Sequence, residues 1–145
     1  MSIPEHLWRF PTRKAIDSLA KRFKLPNTLE MQDWEWEVAD SDRIDEFISA
    51  YESGQLDDDE KFTMMEIIIQ SFEEFESSLS IEPRWKKILN IIENNIELHI
   101  YSVWYWSDLE NDNEDDQWKV NPFIRSILTR SAIWKDYGDK REVKS

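Results

Sequence analysis

The residues best suited to acid–base or metal chemistry lie around His99. The chain has two histidines, His6 and His99. Glu93 and Glu97 lie four residues apart on one predicted helix face, and His99 follows Glu97 two residues later. An imidazole near carboxylates could act as a general base or help to hold a metal ion. The spacing lacks the HExxH pattern of zinc sites. We therefore expect no catalytic residue, no metal site and no cofactor, and an enzyme with a carboxylate–His99 site is kept as an alternative.

The other motifs that carry chemistry are incomplete in this chain. The acidic segment DLENDNEDD at residues 108–116 offers oxygen atoms at alternating positions but lacks the central glycine and the final glutamate of an EF-hand. It could still bind cations loosely. No serine lies in a GxSxG elbow. The absence of cysteine excludes disulfides and thiolate chemistry.

Charge is distributed unevenly along the chain. The net charge is −13. Residues 27–118 contain 26 acidic and five basic side chains, whereas the segments before and after each carry a net charge of +4. An acidic middle repels nucleic acid and anionic lipid and attracts basic proteins. We expect a basic protein partner, no direct nucleic acid binding and no membrane association, although the charge could serve solubility alone.

The predicted compartment is the cytoplasm. No stretch approaches the roughly 20 apolar residues of a membrane span. The first residues, MSIPEHLWRFPTRK, lack the apolar core of a signal peptide. The absence of cysteine is compatible with a reducing compartment.

The spacing of apolar residues predicts helices that could position these side chains. Stripes with the spacing i, i+3, i+4, i+7 indicate helices. They occur in residues 12–23, 42–53 and 58–79, after Pro83 as far as Ile96, and from Asn121 to Leu128. Asp57 to Glu60 crowd the start of the longest one, where the helix dipole favours negative charge.

Three segments could add β-structure to these helices. Residues 33–38 alternate between apolar and acidic side chains, as in a strand with one wet face. Residues 98–106 are rich in β-branched and aromatic residues, which suits a strand, but they could also extend the preceding helix. With residues 117–120 they would form a hairpin around the acidic loop. The predicted fold is a mainly α, compact bundle of about five helices, with or without this small β-hairpin or short sheet. It forms a single domain, 1–145, in which 1–11 and 138–145 are loosely ordered.

An aromatic segment is followed directly by an acidic segment in the second half of the chain. Residues 99–107 hold four aromatic side chains, and an acidic run follows. We expect Trp85, Trp104, Trp106 and Trp118 in the core, where they would stiffen a platform that presents a negative surface. Candidate contacts for a basic partner are the acidic residues with the highest local charge density and expected exposure. They are Asp57, Asp58, Asp59, Glu73, Glu74, Glu76, Asp108, Glu110, Asp112, Glu114, Asp115 and Asp116.

Several stretches together resemble a family of small bacterial immunity proteins. The stretches are MQDWEWEVADSDRIDEF at 31–47, YESGQLDDDEKFTMMEIIIQSFEE at 51–74, W…IL…N…LHIYSVWYWS at 85–107 and WKVNPFIR at 118–125. The family belongs to toxin–immunity pairs, including those of contact-dependent growth inhibition. The resemblance spans about residues 31–128 and consists of structural residues rather than a catalytic signature.

The resemblance implies a cytoplasmic antidote without catalytic activity. Such proteins bind the toxin domain encoded by the neighbouring gene and block its active site or substrate path. Many of these toxins are basic nucleases, which the acidic middle of this chain would match. A helical adaptor for another basic cellular protein is the main alternative. The sequence leaves open the toxin, the acidic patch that binds it and the oligomeric state.

Overall fold

The computed structural model describes residues 3–111, 113 and 116–135. Its α-helices are α1 (Arg13–Phe23), α2 (Trp34–Glu37), α3 (Ile44–Glu52), α4 (Asp58–Glu73), α5 (Pro83–Asn94), α6 (Ile96–Ser107) and α7 (Asn121–Arg130). Short 3₁₀ turns lie at Glu5–Leu7, Ser41–Arg43 and Leu79–Ile81, and residues 132–135 add one helical turn. The prediction of a mainly α fold is confirmed, with more helices than the five expected.

The segments considered for β-structure form no strand in the described part of the chain. Residues 34–37 are the short helix α2, residues 98–106 lie within α6, and residues 117–120 lead into α7 through a turn. The alternation in 33–38 fits one helical turn that buries Trp34, whose Nε1 donates to the Pro26 carbonyl at 2.6 Å. In 98–106, tertiary packing overrides β-propensity. A hairpin prediction is therefore wrong, and α6 is a helix of its own, separated from α5 by Asn95.

Contacts within the chain define two compact units. One is Arg9–Ser78, called here the α1–α4 unit, and the other combines Met1–Trp8 with Leu79–Ser145, called here the α5–α7 unit. The single domain 1–145 stays a prediction, as does loose order in 1–11. The segment 138–145 lies outside the described residues.

In the α1–α4 unit, α4 is the central helix. It contacts α1, α2 and α3, and every residue from 62 to 69 is buried. A capping box fixes its start: the Asp57 carboxylate accepts from the Glu60 backbone N–H at 2.8 Å, and the Glu60 carboxylate accepts from the Asp57 N–H at 3.0 Å. The helix ends at Glu73, before the predicted residue 79, and Leu79 is buried from a 3₁₀ turn instead.

An arginine closes the C-terminus of α1. Lys24 follows α1 in the left-handed conformation with φ of 56°. The Arg43 guanidinium donates to the Phe23 carbonyl at 2.9 Å, pairs with Glu46 at 2.7 Å and lies over the Phe47 ring at 5.5 Å from its centre. A cation at a helix C-terminus offsets the negative end of the dipole. Arg43 thereby joins the end of α1 to the start of α3.

In the α5–α7 unit, α6 packs mainly against α7, and α5 contacts both. Trp85 of α5 is fully buried and meets the Phe123 ring edge-on, with ring centres 6.0 Å apart. Ile92, Val103 and Ile124 are also fully buried. This core supports the loop between α6 and α7, which carries half of the candidate acidic contacts.

Candidate protein-binding surface

The candidate acids on α4 fall into two separate groups. Asp57, Asp58 and Asp59 lie at its start, whereas Glu73, Glu74 and Glu76 lie at its end or just beyond. A helix of 16 residues is about 24 Å long at 1.5 Å per residue. The α1–α4 unit therefore presents two acidic patches, and the structure does not bring these six carboxylates together.

The group at the start of α4 is largely engaged within the unit. Asp57 is the capping residue, and Asp59 pairs with Arg9 at 2.9 Å. The hydroxyl of Ser18 donates to Glu60 at 2.7 Å. A cavity of about 320 Å³ between α1 and α4 is lined by Asp57, Asp59 and Glu60 of α4 and its cap and by residues of α1 that include Lys14 and Ser18. These contacts within the fold are sufficient to explain why Asp57 and Asp59 occur here, and no binding protein is needed to explain them.

Loss of the capping box should destabilise the protein measurably. We expect Asp57→Ala to lower the free energy of unfolding by about 1–2 kcal/mol, because the Glu60 N–H loses its acceptor and the Asp57 carboxylate leaves the helix dipole. Urea unfolding followed by circular dichroism measures this. The matched control is Asp58→Ala, one residue along and also exposed, which should cost about 0.5 kcal/mol or less. Equal losses in the two variants would contradict a capping role.

The group at the end of α4 has acidic neighbours that the sequence analysis did not select. The Asp40 backbone N–H donates to the Ser71 hydroxyl at 3.0 Å, which holds residues 39–42 against the last turns of α4, and α2 packs against the same helix. The segment 33–42 contains five carboxylates and no basic side chain. Treating 33–38 as a strand hid this signal, although charge density alone could have found it.

Glu35 on α2 is the acid most perturbed by this surrounding. Burial raises its pKa above the ordinary 4.5, and the charges of Asp33 and Glu37 raise it further, against a backbone hydrogen bond that lowers it. The carboxyl group therefore binds its proton more tightly in the folded state than in the unfolded state. Folding stability must fall as the pH rises from 4.5 through the folded-state pKa.

Removal of this charge should change the pH dependence of stability. We expect Glu35→Gln to be more stable than the wild type at neutral pH and close to it well below pH 4.5, where the Glu35 carboxyl group is protonated in both the folded and the unfolded state. Urea midpoints measured across this range test the expectation. Glu30→Gln, an exposed site in a loop, serves as the control. A Glu35→Gln variant that is less stable than the wild type at neutral pH would show that the negative charge of Glu35 does not destabilise the folded state.

The loop after α6 is fixed to α7 by an arginine. Asp108 ends α6 in the left-handed conformation with φ of 45°. The Arg125 guanidinium donates to three backbone carbonyls, those of Ser107 at 2.5 Å, Asp108 at 2.8 Å and Asn111 at 3.1 Å. These bonds satisfy carbonyl groups that a helix C-terminus leaves open. Arg125 thus fixes the backbone at residues 107, 108 and 111, at the start of the loop.

A buried asparagine fixes the same loop from its other end. Asn121 is fully buried at the start of α7. Its amide donates to the Trp106 carbonyl, and its side-chain oxygen accepts from the Trp118 backbone N–H at 2.9 Å. The amide group therefore joins the last turn of α6 to the end of the loop.

Two of the described acids of the loop accept hydrogen bonds from neighbouring asparagines, and two are exposed. The Asp108 carboxylate accepts from the Asn111 amide at 3.1 Å, and the Asp116 carboxylate accepts from the Asn113 amide at 2.8 Å. Glu110 and Asp116 are exposed, and Asp108 is partly exposed. The candidates Asp112, Glu114 and Asp115 lie outside the described residues.

Aromatic rings pack beside this loop. The Tyr105 and Trp118 rings stack with centres 5.7 Å apart, Trp106 and Trp118 lie 4.9 Å apart, and Tyr101 and Trp104 lie 5.6 Å apart. Trp85 and Trp106 are in the core, as expected. Trp104 and Trp118 are only partly buried, so part of the ring cluster reaches the surface next to the carboxylates.

His99 lies apart from any described cavity. It is fully buried in α6, whereas Glu93 and Glu97 are exposed. Glu93 pairs with Arg130 at 3.0 Å, and this hydrogen bond lowers the pKa of Glu93. His99 lines neither the cavity between α1 and α4 nor a smaller one of about 150 Å³ beside Glu93. Among the described residues, no group of three or more His, Cys, Asp or Glu side chains is placed to hold a metal ion.

The expected resemblance to immunity proteins rests on stretches that cover the elements just described. They include α2 to α4 in one unit and α5, α6 and the first residues of α7 in the other. Arg125 and the ring cluster belong to them. None of the helices in the described residues is long and apolar enough for a membrane span. Comparison of the sequence with protein-family models, with curated proteins and with solved structures gives no match.

Proposed function

We propose that this protein is an immunity protein that binds and neutralises a cognate basic toxin domain, a nuclease, by occluding its active site or substrate path. The observation that carries the proposal is the α6–α7 loop. Exposed carboxylates of Glu110 and Asp116 stand there beside partly exposed rings, on a backbone held by Arg125 and Asn121. No catalytic step is assigned to the chain.

Electrostatics supports a basic partner. Residues 88–118 contain no lysine or arginine, the Arg125 guanidinium is used on backbone carbonyls, and the exposed Lys119 is the first basic residue after the loop. The acidic side chains of the segment 108–116 therefore outnumber the basic side chains close to them in the sequence, which favours a negative potential at this loop. Such a potential steers a basic protein and raises the rate of association, which matters for an inhibitor of a toxic enzyme.

The fixed loop backbone supports tight binding. Ordering a mobile loop on association costs free energy, and a loop that is already ordered avoids this cost. The three carbonyl contacts of Arg125 and the two bonds of Asn121 hold residues 106–108, 111 and 118, at the two ends of the loop, before any partner arrives.

The acidic surface also accounts for a mode of inhibition. A nuclease holds the phosphate backbone of its substrate with lysine and arginine side chains. Carboxylates on the inhibitor compete with phosphates for those cations. Occupation of the substrate path would then stop the enzyme without a contact to its catalytic residues.

Co-expression tests the proposal. We expect this protein to restore growth of cells that express the toxin domain encoded by the adjacent gene, and to leave unrelated toxin domains active. A purified pair should form a complex that weakens as salt rises from about 0.01 to about 0.15 M. Absence of both rescue and binding would overturn the proposal. Recovery of another basic cellular protein without rescue would favour the adaptor alternative.

A further inference from the structure

The outer face of α6 carries a continuous row of rings that ends in carboxylates. Tyr101, Trp104 and Tyr105 lie on one face of the helix, with Glu97 one turn before them and Asp108 one turn after. All five are outside the core, whereas residues 99, 100, 102, 103, 106 and 107 are buried on the other face. We call the three rings together with Trp118 the α6 ring face.

The rings of this face are held in fixed positions by one another. Tyr101 and Trp104 are tilted by 45°, and Tyr105 and Trp118 are stacked within 25°. The backbone of Trp118 is held further, because its N–H donates a hydrogen bond to the side-chain oxygen of the buried Asn121. Rings that are rigid and only partly buried lose little conformational entropy when they bind, and tryptophan and tyrosine often anchor interfaces for this reason.

The charge around the face selects its occupant. Glu97 lies at one end of the row and Asp108 at the other, and the exposed Glu110 and Asp116 follow Asp108 in the loop. No lysine or arginine occurs between residues 88 and 118, and the exposed Lys119 follows Trp118 as a single basic residue. The electron-rich ring faces attract cations as well. Ring stacking and carboxylate pairing are both satisfied by a guanidinium, which is planar and donates two parallel hydrogen bonds, whereas a compact ammonium provides only the charge.

We propose that the α6 ring face binds arginine side chains of the basic partner, in preference to lysine. This inference rests on the proposed function and assigns the contact to a defined surface. The arginine guanidinium stacks on the exposed part of Trp104 or Tyr105 and pairs with a carboxylate at an end of the row. The α6 ring face thereby distinguishes arginine from lysine, whereas the net negative charge of the protein attracts both.

Two peptides of equal charge test this preference on the full chain. Isothermal titration at low salt compares a short peptide of alternating arginine and glycine with its lysine counterpart. We expect the arginine peptide to bind roughly tenfold more tightly. Trp104→Leu should remove most of this difference and leave binding of the lysine peptide unchanged. Trp36→Leu, which removes a partly exposed ring from the α1–α4 unit, should retain the difference. Tyr101→Leu provides a second variant of the face if Trp104→Leu fails to fold.

The outcomes separate this inference from the proposed function. Equal affinity for the two peptides, or an unchanged preference in both ring-face variants, would overturn the arginine assignment. If such variants also still rescue cells from the toxin, the immunity function stands without this surface. If the preference exists and depends on the rings but the wild type gives no rescue, the surface reads arginine on a different partner and the immunity function fails.

Discussion

Replacement of Asn121 with alanine is expected to lower the free energy of unfolding by about 3 kcal/mol. The side chain is fully buried and satisfies the Trp106 carbonyl and the Trp118 N–H. Alanine would leave the buried Trp106 carbonyl and the part-buried Trp118 N–H without this partner, and a buried group that loses its partner costs about 1–3 kcal/mol. Chemical unfolding gives the stability, and the near-ultraviolet circular dichroism of the tryptophans reports whether the ring cluster loosens.

Two further variants define the origin of this loss. Asn121→Asp keeps the acceptor for the Trp118 N–H but removes the donor to the Trp106 carbonyl and adds a buried charge, so we expect a loss at least as large. Asn90→Ala, on the exposed side of α5, should change stability by less than about 0.5 kcal/mol. An Asn121→Ala protein as stable as the wild type would mean that the amide is not what holds the loop.

Reversal of charge on the α6–α7 loop should weaken binding to the cognate basic toxin on the order of 100-fold. The variant Glu110→Lys/Asp116→Lys replaces two exposed carboxylates by cations, and opposed like charges at an interface cost several kcal/mol in total. Titration of the purified pair measures the affinity. The difference from the wild type should shrink when salt is raised, because exposed charges are screened.

A second double variant of equal charge locates the interface. Glu74→Lys/Glu76→Lys reverses two exposed carboxylates at the end of α4, in the other unit. We expect only a few-fold loss from weaker long-range steering. If this variant loses more affinity than the loop variant, the partner binds the acidic patch of the α1–α4 unit and the ring face is not the contact.

The helical fold could be predicted because its signal is local. The apolar stripes of α1, α3 and α4 follow the helical period, and the acidic residues from Asp57 to Glu60 lie at the start of α4, as predicted. The end of α4 could not be read in this way. The apolar spacing continues to Leu79, but Glu73, Glu74 and Glu76 place negative charge at the negative end of the helix dipole, which favours termination.

The site required information that only the tertiary structure contains. Charge density identified the acidic loop. It could not show that the other six candidate acids lie in two groups at opposite ends of α4, or that Asp57 caps this helix and Asp59 pairs with Arg9. Aromatic content suggested a strand in α6, because β-branched and aromatic residues report burial and packing more than backbone shape. The exposure of Trp104 and Trp118 depends on how α6 lies on α7, which no local pattern encodes.

Arg125 holds the loop through main-chain carbonyls rather than through carboxylates. Every residue type offers the same carbonyl, so substitutions at Glu110 or Asp116 leave this support intact. The loop can therefore exchange its side chains while its path is preserved. Single mutations at these positions could therefore change which partner is recognised during evolution, without destabilising the fold.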